Sequence, residues 1–220
     1  MTRTAQEVLL GIRRELAPAE PENRLLPLVE QGRAPLSVLG ELGAQQHRII
    51  TSDRRSLLVL AARCADSPAG GYFARLAEGE SLALAALVGF TTGCGLDEAA
   101  VRGREPLAGC QAYPGWMAWL ALNGEPTAVV LALTANFTAW GRYCARTAAA
   151  LRSHYGFDDA GCAFFDFFAA PAAELEDEAL AVVAARGPTP EQLAEGRRYG
   201  RLLQSYELMF WNTLADLDAV

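Results

Sequence analysis

The chain has 220 residues, 51% of them hydrophobic, and its 19 basic and 26 acidic side chains leave a formal charge of −7. That length can bury a substantial core, and residues 1–220 read as a single domain; an acidic chain with no block of lysine or arginine lacks the footprint that nucleic acid requires. No run approaches the roughly 18 uncharged apolar residues of a membrane span, and MTRTAQEVLLGIRRE lacks a signal peptide's apolar core, so the expectation is a cytoplasmic protein without a membrane partner.

Hydrophobic spacing predicts helices nearly throughout. Residues 5–16 mix apolar and charged positions at helical spacing, and the segment APAEPE separates them from a short helix near 21–31. Pro35 opens a long element reaching about Ala65, and Ser67-Pro68 starts the next, which fades at TTGCG. A short helix follows Leu96-Asp97. The stretch RGREPLAGCQAYP then reads as an irregular crossing ahead of the compact apolar segment Trp116 to Leu122. Glu125-Pro126 leads into a helix spanning Thr127 to Tyr155, and GFDD precedes a helix holding FFDFF. Pro171 introduces an acidic helix ending near Arg186-Gly187, and PTPE opens a last helix that runs to the C-terminus. No alternating β-branched run is bounded by turns. The fold class is therefore all-α, with about eight or nine helices in one bundle.

Three helices each carry one polar residue inside an apolar stripe. Asp53 lies four residues after Ile49 and four before Leu57; Asn136 lies three after Leu133 and four before Trp140; Glu207 lies between Leu203 and Trp211. All three should point inward. With Tyr113, Trp140, Tyr206 and the FFDFF segment they would enclose a small pocket suited to a flat, nitrogen-bearing molecule, whose amino groups a carboxylate accepts and whose ring an aromatic face sandwiches.

Four segments in order, TSDRRSLL, PLAGCQAY, LTANFTAW and YELMFWNT, resemble the TenA family, also called thiaminase II, of the haem-oxygenase-like helical fold. The last is the most specific, being similar to the family's E-x-x-F-W-D-like ending. The resemblance implies a hydrolase of thiamin or its aminopyrimidine, hence a role in thiamin metabolism, working without a cofactor and as a dimer or tetramer. It implies that Asp53 anchors the ring's amino side, Tyr113 contacts the ring and Glu207 moves protons. The family's nucleophilic cysteine falls on Asn136, or on Ala135 if the register shifts by one, and two of its tyrosines fall on Trp140 and Phe168. The chain thus resembles a divergent member that keeps the pocket and lacks the thiol.

No other cysteine replaces it. The five cysteines, at 64, 94, 110, 144 and 162, include no C-x-x-C pair and read as reduced core residues. Cys144 lies eight residues beyond Asn136, about 12 Å along a helix, and Cys110 near Tyr113 reads as an inert core thiol. Other readings stay open. Asp53 would cap a helix beginning at Arg54, Glu207 would pair with Arg142 or Arg201, Asn136 would tie two helices together, and Tyr113 before Pro114 would pack at a helix entry. A di-iron oxidase of the same fold needs about six ligands including histidines; this chain offers only His47 and His154, and Glu78 and Glu80 have no histidine partner, so no metal is expected. Two functions remain: an enzyme of the aminopyrimidine aminohydrolase type acting through Glu207 and Asp53, or a silent binding or regulatory protein that does not touch DNA, with Tyr113, Asn136, Trp140, Phe168 and Tyr206 holding its ligand.

Overall fold

A computed structural model describes residues 4–17, 22–185 and 187–219. Among them run ten α-helices: α1 (Ala5–Leu16), α2 (Leu25–Glu30), α3 (Leu36–Arg63), α4 (Pro68–Gly93), α5 (Glu98–Gly103), α6 (Ala108–Asn123), α7 (Pro126–His154), α8 (Asp159–Ala169), α9 (Ala173–Ala184) and α10 (Pro190–Ala215), then a 3-10 turn over Asp216–Ala219. No strand occurs among the described residues, as the spacing predicts. None of the described helices is long and apolar enough to cross a membrane.

The boundaries follow capping chemistry. Thr4 and Thr189 form capping boxes with Glu7 and Gln192, satisfying orphan amides at the starts of α1 and α10. Glu125, Asp97 and Asp158 accept from the third amide of α7, α5 and α8, and Pro68, Pro126 and Pro190 occupy first turns, where a missing N–H costs nothing. Part of the APAEPE break and Arg186 at the predicted end of the acidic helix lie outside the described residues. The first half of α6 differs from expectation. Residues 108–114, read as an irregular crossing, are helical with Pro114 inside, because Cys110, Pro114, Met117 and Leu120 bury one continuous face against α3 and α10. Burial there outweighs the hydrogen bond that proline removes.

Helix α7 runs through the middle. Residues 128–136 are buried without interruption, and α7 packs against α1, α2, α8, α9 and α10, so this stretch is covered on every side rather than along one stripe. Two apolar clusters flank it, one built on Ile12, Phe73, Met117 and Leu203, the other on Leu39, Phe90, Phe165 and Trp211; Tyr113 packs against both. Part-buried ion pairs tie the outer helices, with Arg13 on α1 holding Glu176 on α9 at 2.7 Å and Arg146 on α7 holding Glu30 on α2 at 2.6 Å.

Helices α4 and α8 cross so closely at Gly89 that a Cβ there would overlap the Ala160 backbone, whose carbonyl carbon would lie 2.7 Å away. Backbone cannot rotate aside as a side chain can. Gly89→Ala should therefore lower stability by about 2–3 kcal/mol despite alanine's better helix propensity, measured as a fall in urea midpoint. An unchanged midpoint would show that the two helices can separate at little cost.

Candidate functional site

A cavity opens between the two apolar clusters, with about 550 Å³ of empty space including its mouth. Gln46, Ile49, Ile50 and Asp53 line it from α3, at the i, i+3, i+4, i+7 spacing of one helical face. Helix α7 supplies Asn136, Phe137 and Trp140, α10 supplies Glu207 and Phe210, and α4, α6 and α8 add Glu80, Tyr113 and Phe168. Six helices thus converge on one space. The walls have the usual make-up of a small-molecule site, apolar rings with a few polar groups.

The aromatic wall is held from behind. Trp140 meets Phe168 edge-on with ring centres 5.8 Å apart, and Trp211, fully buried, backs Trp140 at the same separation. Gly141 permits this: a Cβ there would press on the Phe168 carbonyl oxygen at 2.9 Å, so its absence lets α7 approach α8.

Glu207 is 4% exposed. Asn136 Nδ2 donates to Glu207 Oε2 at 3.1 Å and to Gln204 Oε1 at 3.3 Å, while Glu207 Oε1 is buried with no partner. Burial raises the Glu207 carboxyl to about 8, against a weaker opposing effect of the Asn136 hydrogen bond. At neutral pH it therefore carries a proton for most of the time. Because Oε2 accepts from Asn136, that proton belongs on Oε1, the oxygen left for an occupant of the cavity. Neither Arg142 nor Arg201 perturbs this carboxyl, so the ion-pair reading fails.

Asp53, 5% exposed, sits in the middle of α3 rather than at a helix start, which removes the cap reading. Its Oδ1 is also buried without a partner, and desolvation together with the nearby Glu80 raises its pKa well above the usual carboxylate range. Glu80 moves the same way through burial. The Tyr113 phenol is pushed up by desolvation first, then by Asp53, Glu207 and Glu80. A hydroxyl that feels three carboxylates, with no arginine or lysine lining the cavity, marks an acceptor-rich site.

Of the residues singled out from sequence, Asp53, Tyr113, Asn136, Trp140, Phe168 and Glu207 come together. Tyr206 does not: one position from Glu207, it turns about 100° round α10 and its ring approaches Trp116 at 6.3 Å, outside the cavity lining. Glu80 and Gln46 join the lining unforeseen. The signal for Glu80 was its spacing, three after Ala77, three before Ala83 and seven before Leu87, all buried. No cysteine lines the cavity. Cys110 is buried in α6 with its thiol pushed up to about 12, and desolvation raises the Cys144 thiol as well. Among the described residues no group of three or more histidine, cysteine, aspartate or glutamate side chains is arranged to hold a metal ion.

Fold and cavity together define an all-helical bundle with a carboxylate-and-aromatic pocket at its centre. The bundle matches that of a domain with a heme oxygenase-like fold from Shewanella denitrificans, with a TM-score of 0.79 at 12% identity over 97% of this chain and 91% of that one. A TenA homologue from P. horikoshii superposes with a TM-score of 0.70 at 16% identity over 96% of each chain. Another from Pseudomonas syringae pv. tomato gives 0.74 at 11% identity, over 96% of this chain and 91% of that one. The TENA/THI-4/PQQC family model matches residues 29–217, and the chain belongs to that family. Among curated proteins no relative matches. The TenA resemblance and the haem-oxygenase-like bundle expected from four short segments are both borne out.

Proposed function

We propose that the chain binds a small, flat, nitrogen-bearing heteroaromatic of the thiamin or aminopyrimidine kind in this cavity, without cysteine-dependent chemistry. One observation carries the reading: two buried carboxylate oxygens, Asp53 Oδ1 and Glu207 Oε1, have no protein partner in a cavity walled by Trp140 and Phe168. An unpaired buried polar atom costs about 1–3 kcal/mol, and a ligand recovers that by donating an amino or ring N–H to an ionised carboxylate or by accepting the Glu207 Oε1 proton at a ring nitrogen. In thermal-shift titration 4-aminopyrimidine or thiamin should raise the melting temperature, and Asp53→Ala should abolish the shift. No shift with either compound would sink the reading for this ligand class.

A second reading, turnover, is favoured by the protonated Glu207. Its Oε1 proton can pass to a ring nitrogen as water adds to the adjacent ring carbon; the carboxylate so formed accepts one proton of that water and passes it to the amino group, the C–N bond breaks to release ammonia, and the carboxylate takes the remaining hydroxyl proton as the ring carbonyl forms. Ammonia release from an aminopyrimidine, abolished in Glu207→Gln, is the expected result; thermal stabilisation without release would leave a binding protein.

Three expectations belong to the same proposal. We take residues 1–220 as one domain. The free cysteines, most of them buried, favour the cytoplasm, where thiols remain reduced. Exposed Trp119 and Leu122 on α6 and Met209 on α10, with Leu122 68% accessible, favour a homo-oligomer, dimer or tetramer. Light scattering should return a multiple of 23.6 kDa, and a monomer mass would contradict it.

A further inference from the structure

We propose that the cavity selects a positively charged, donor-rich aromatic over a neutral one of the same shape, and that Glu80 is the residue that sets this preference. The proposal rests on the reading that the cavity takes a small flat ligand, and narrows its charge.

The polar groups on the cavity wall are unbalanced. Asp53 from α3, Glu80 from α4 and Glu207 from α10 are acceptors when ionised. Tyr113 from α6 is a neutral phenol, Gln46 from α3 is a neutral amide, and α7 and α8 contribute only Asn136 and apolar or aromatic side chains. Arg54, adjacent in sequence to Asp53, is exposed and donates to Ser81 Oγ at 2.8 Å instead of reaching its neighbour. Two carboxyl oxygens, on Asp53 and Glu207, are buried and unpartnered. A neutral ring with one amino group leaves most of these acceptors unmet, whereas an amidinium or a protonated diamino ring supplies several N–H donors and a charge. The carboxylates do not form a metal-ligand cluster, so an organic cation fits where a metal ion does not.

Glu80 differs from the other two acids in position. It is partly accessible and lines both the cavity and an outer groove between α4 and α9, which share Phe137, Trp140 and Phe168 as well. That groove is acidic too. Glu78, Glu174 and Glu178 line it, and its Arg75 is held by Glu174 at 2.7 Å and Glu178 at 2.5 Å. A cation approaching through the groove meets negative charge from the entrance to Glu80, the arrangement that steers association. On entry it favours ionised carboxylates, so protons that Glu80 and Glu207 hold near neutrality leave to the buffer.

The test uses two isosteric probes, benzamidinium and benzamide, one a cation and one neutral. Calorimetric titration at pH 7 in two buffers of different ionisation enthalpy should give at least about tenfold tighter binding of benzamidinium, with proton release. Its affinity should rise from pH 6 to 8 while that of benzamide stays level. Glu80→Gln should erase the preference and Glu80→Asp should retain it, circular dichroism confirming that both fold. Equal or tighter binding of benzamide overturns the charge selectivity and leaves the heteroaromatic pocket standing. A preference that survives Glu80→Gln overturns the role of Glu80. Binding of neither probe at millimolar concentration also overturns the proposal, and the pocket itself is then judged by the aminopyrimidine titration.

Discussion

Between pH 5 and 8 the protein should lose stability, and Glu207→Gln should remove a large part of that loss. In the unfolded chain this carboxyl titrates near 4.5; folding raises it to about 8 because burial disfavours the charged form. The folded state therefore binds more protons than the unfolded state across that window, and stability falls as pH rises through it. The contribution is fully present below 4.5 and is lost by about 8, an effect of roughly 2–5 kcal/mol. Asp53 and Glu80 shift in the same direction and steepen the slope. Glu30 and Glu176, lowered by their arginine partners, stabilise above their unfolded values, so their effect ends near the window's acid edge. His47, lowered by desolvation, opposes the trend up to about 6.5 but is common to both proteins. The difference between parent and variant thus isolates Glu207. Melting temperatures should coincide near pH 5 and separate by roughly 5–15 °C at pH 8, the variant being higher. Parallel curves at all pH values would mean that the carboxyl is compensated by something other than Asn136.

Trp211→Ala should produce the largest fall in stability of any single change near the site, about 3–5 kcal/mol. Trp211 is fully buried, and its ring lies 5.8 Å from Trp140, 5.8 Å from Tyr143 and 5.6 Å from Phe210. Truncation removes the support of the aromatic wall, so ligand-induced stabilisation should fall with the midpoint. Its indole Nε1 has no hydrogen-bond partner, so Trp211→Phe forfeits packing alone and should recover most of the loss. Urea denaturation with an unchanged slope would attribute the effect to the folded state. A loss below about 1 kcal/mol would show that α7 and α10 repack around the gap.

The contrast between Asp53 and Glu80 explains what was legible in the sequence. Asp53 stands among Ile49, Ile50 and Leu57, so one polar residue in an apolar stripe is visible by spacing alone. Glu80 stands in AEGES among small and polar neighbours, where Glu78 faces solvent and Glu80 faces the cavity; only the positions of Ala77, Ala83 and Leu87 separate them, and alanine is a weak marker of an inward face. Tyr206 was misplaced for the opposite reason: adjacency to Glu207 along the chain means separation around a helix. Pro114 misled through its usual role as a helix breaker, while long-range burial of the α6 face decided otherwise. Residues whose inward direction is set by their own helix could be found, and those set by the crossing of several helices could not.

The central claim is that Asp53 and Glu207 present unpartnered carboxyl oxygens to a flat ring held against Trp140 and Phe168. A crystal structure of the protein soaked with 4-aminopyrimidine tests it most directly. The account predicts ring density in the cavity, with a ligand nitrogen within hydrogen-bond distance of Asp53 Oδ1 or Glu207 Oε1. A ring bound elsewhere, or a cavity holding only water at saturating ligand, would contradict it.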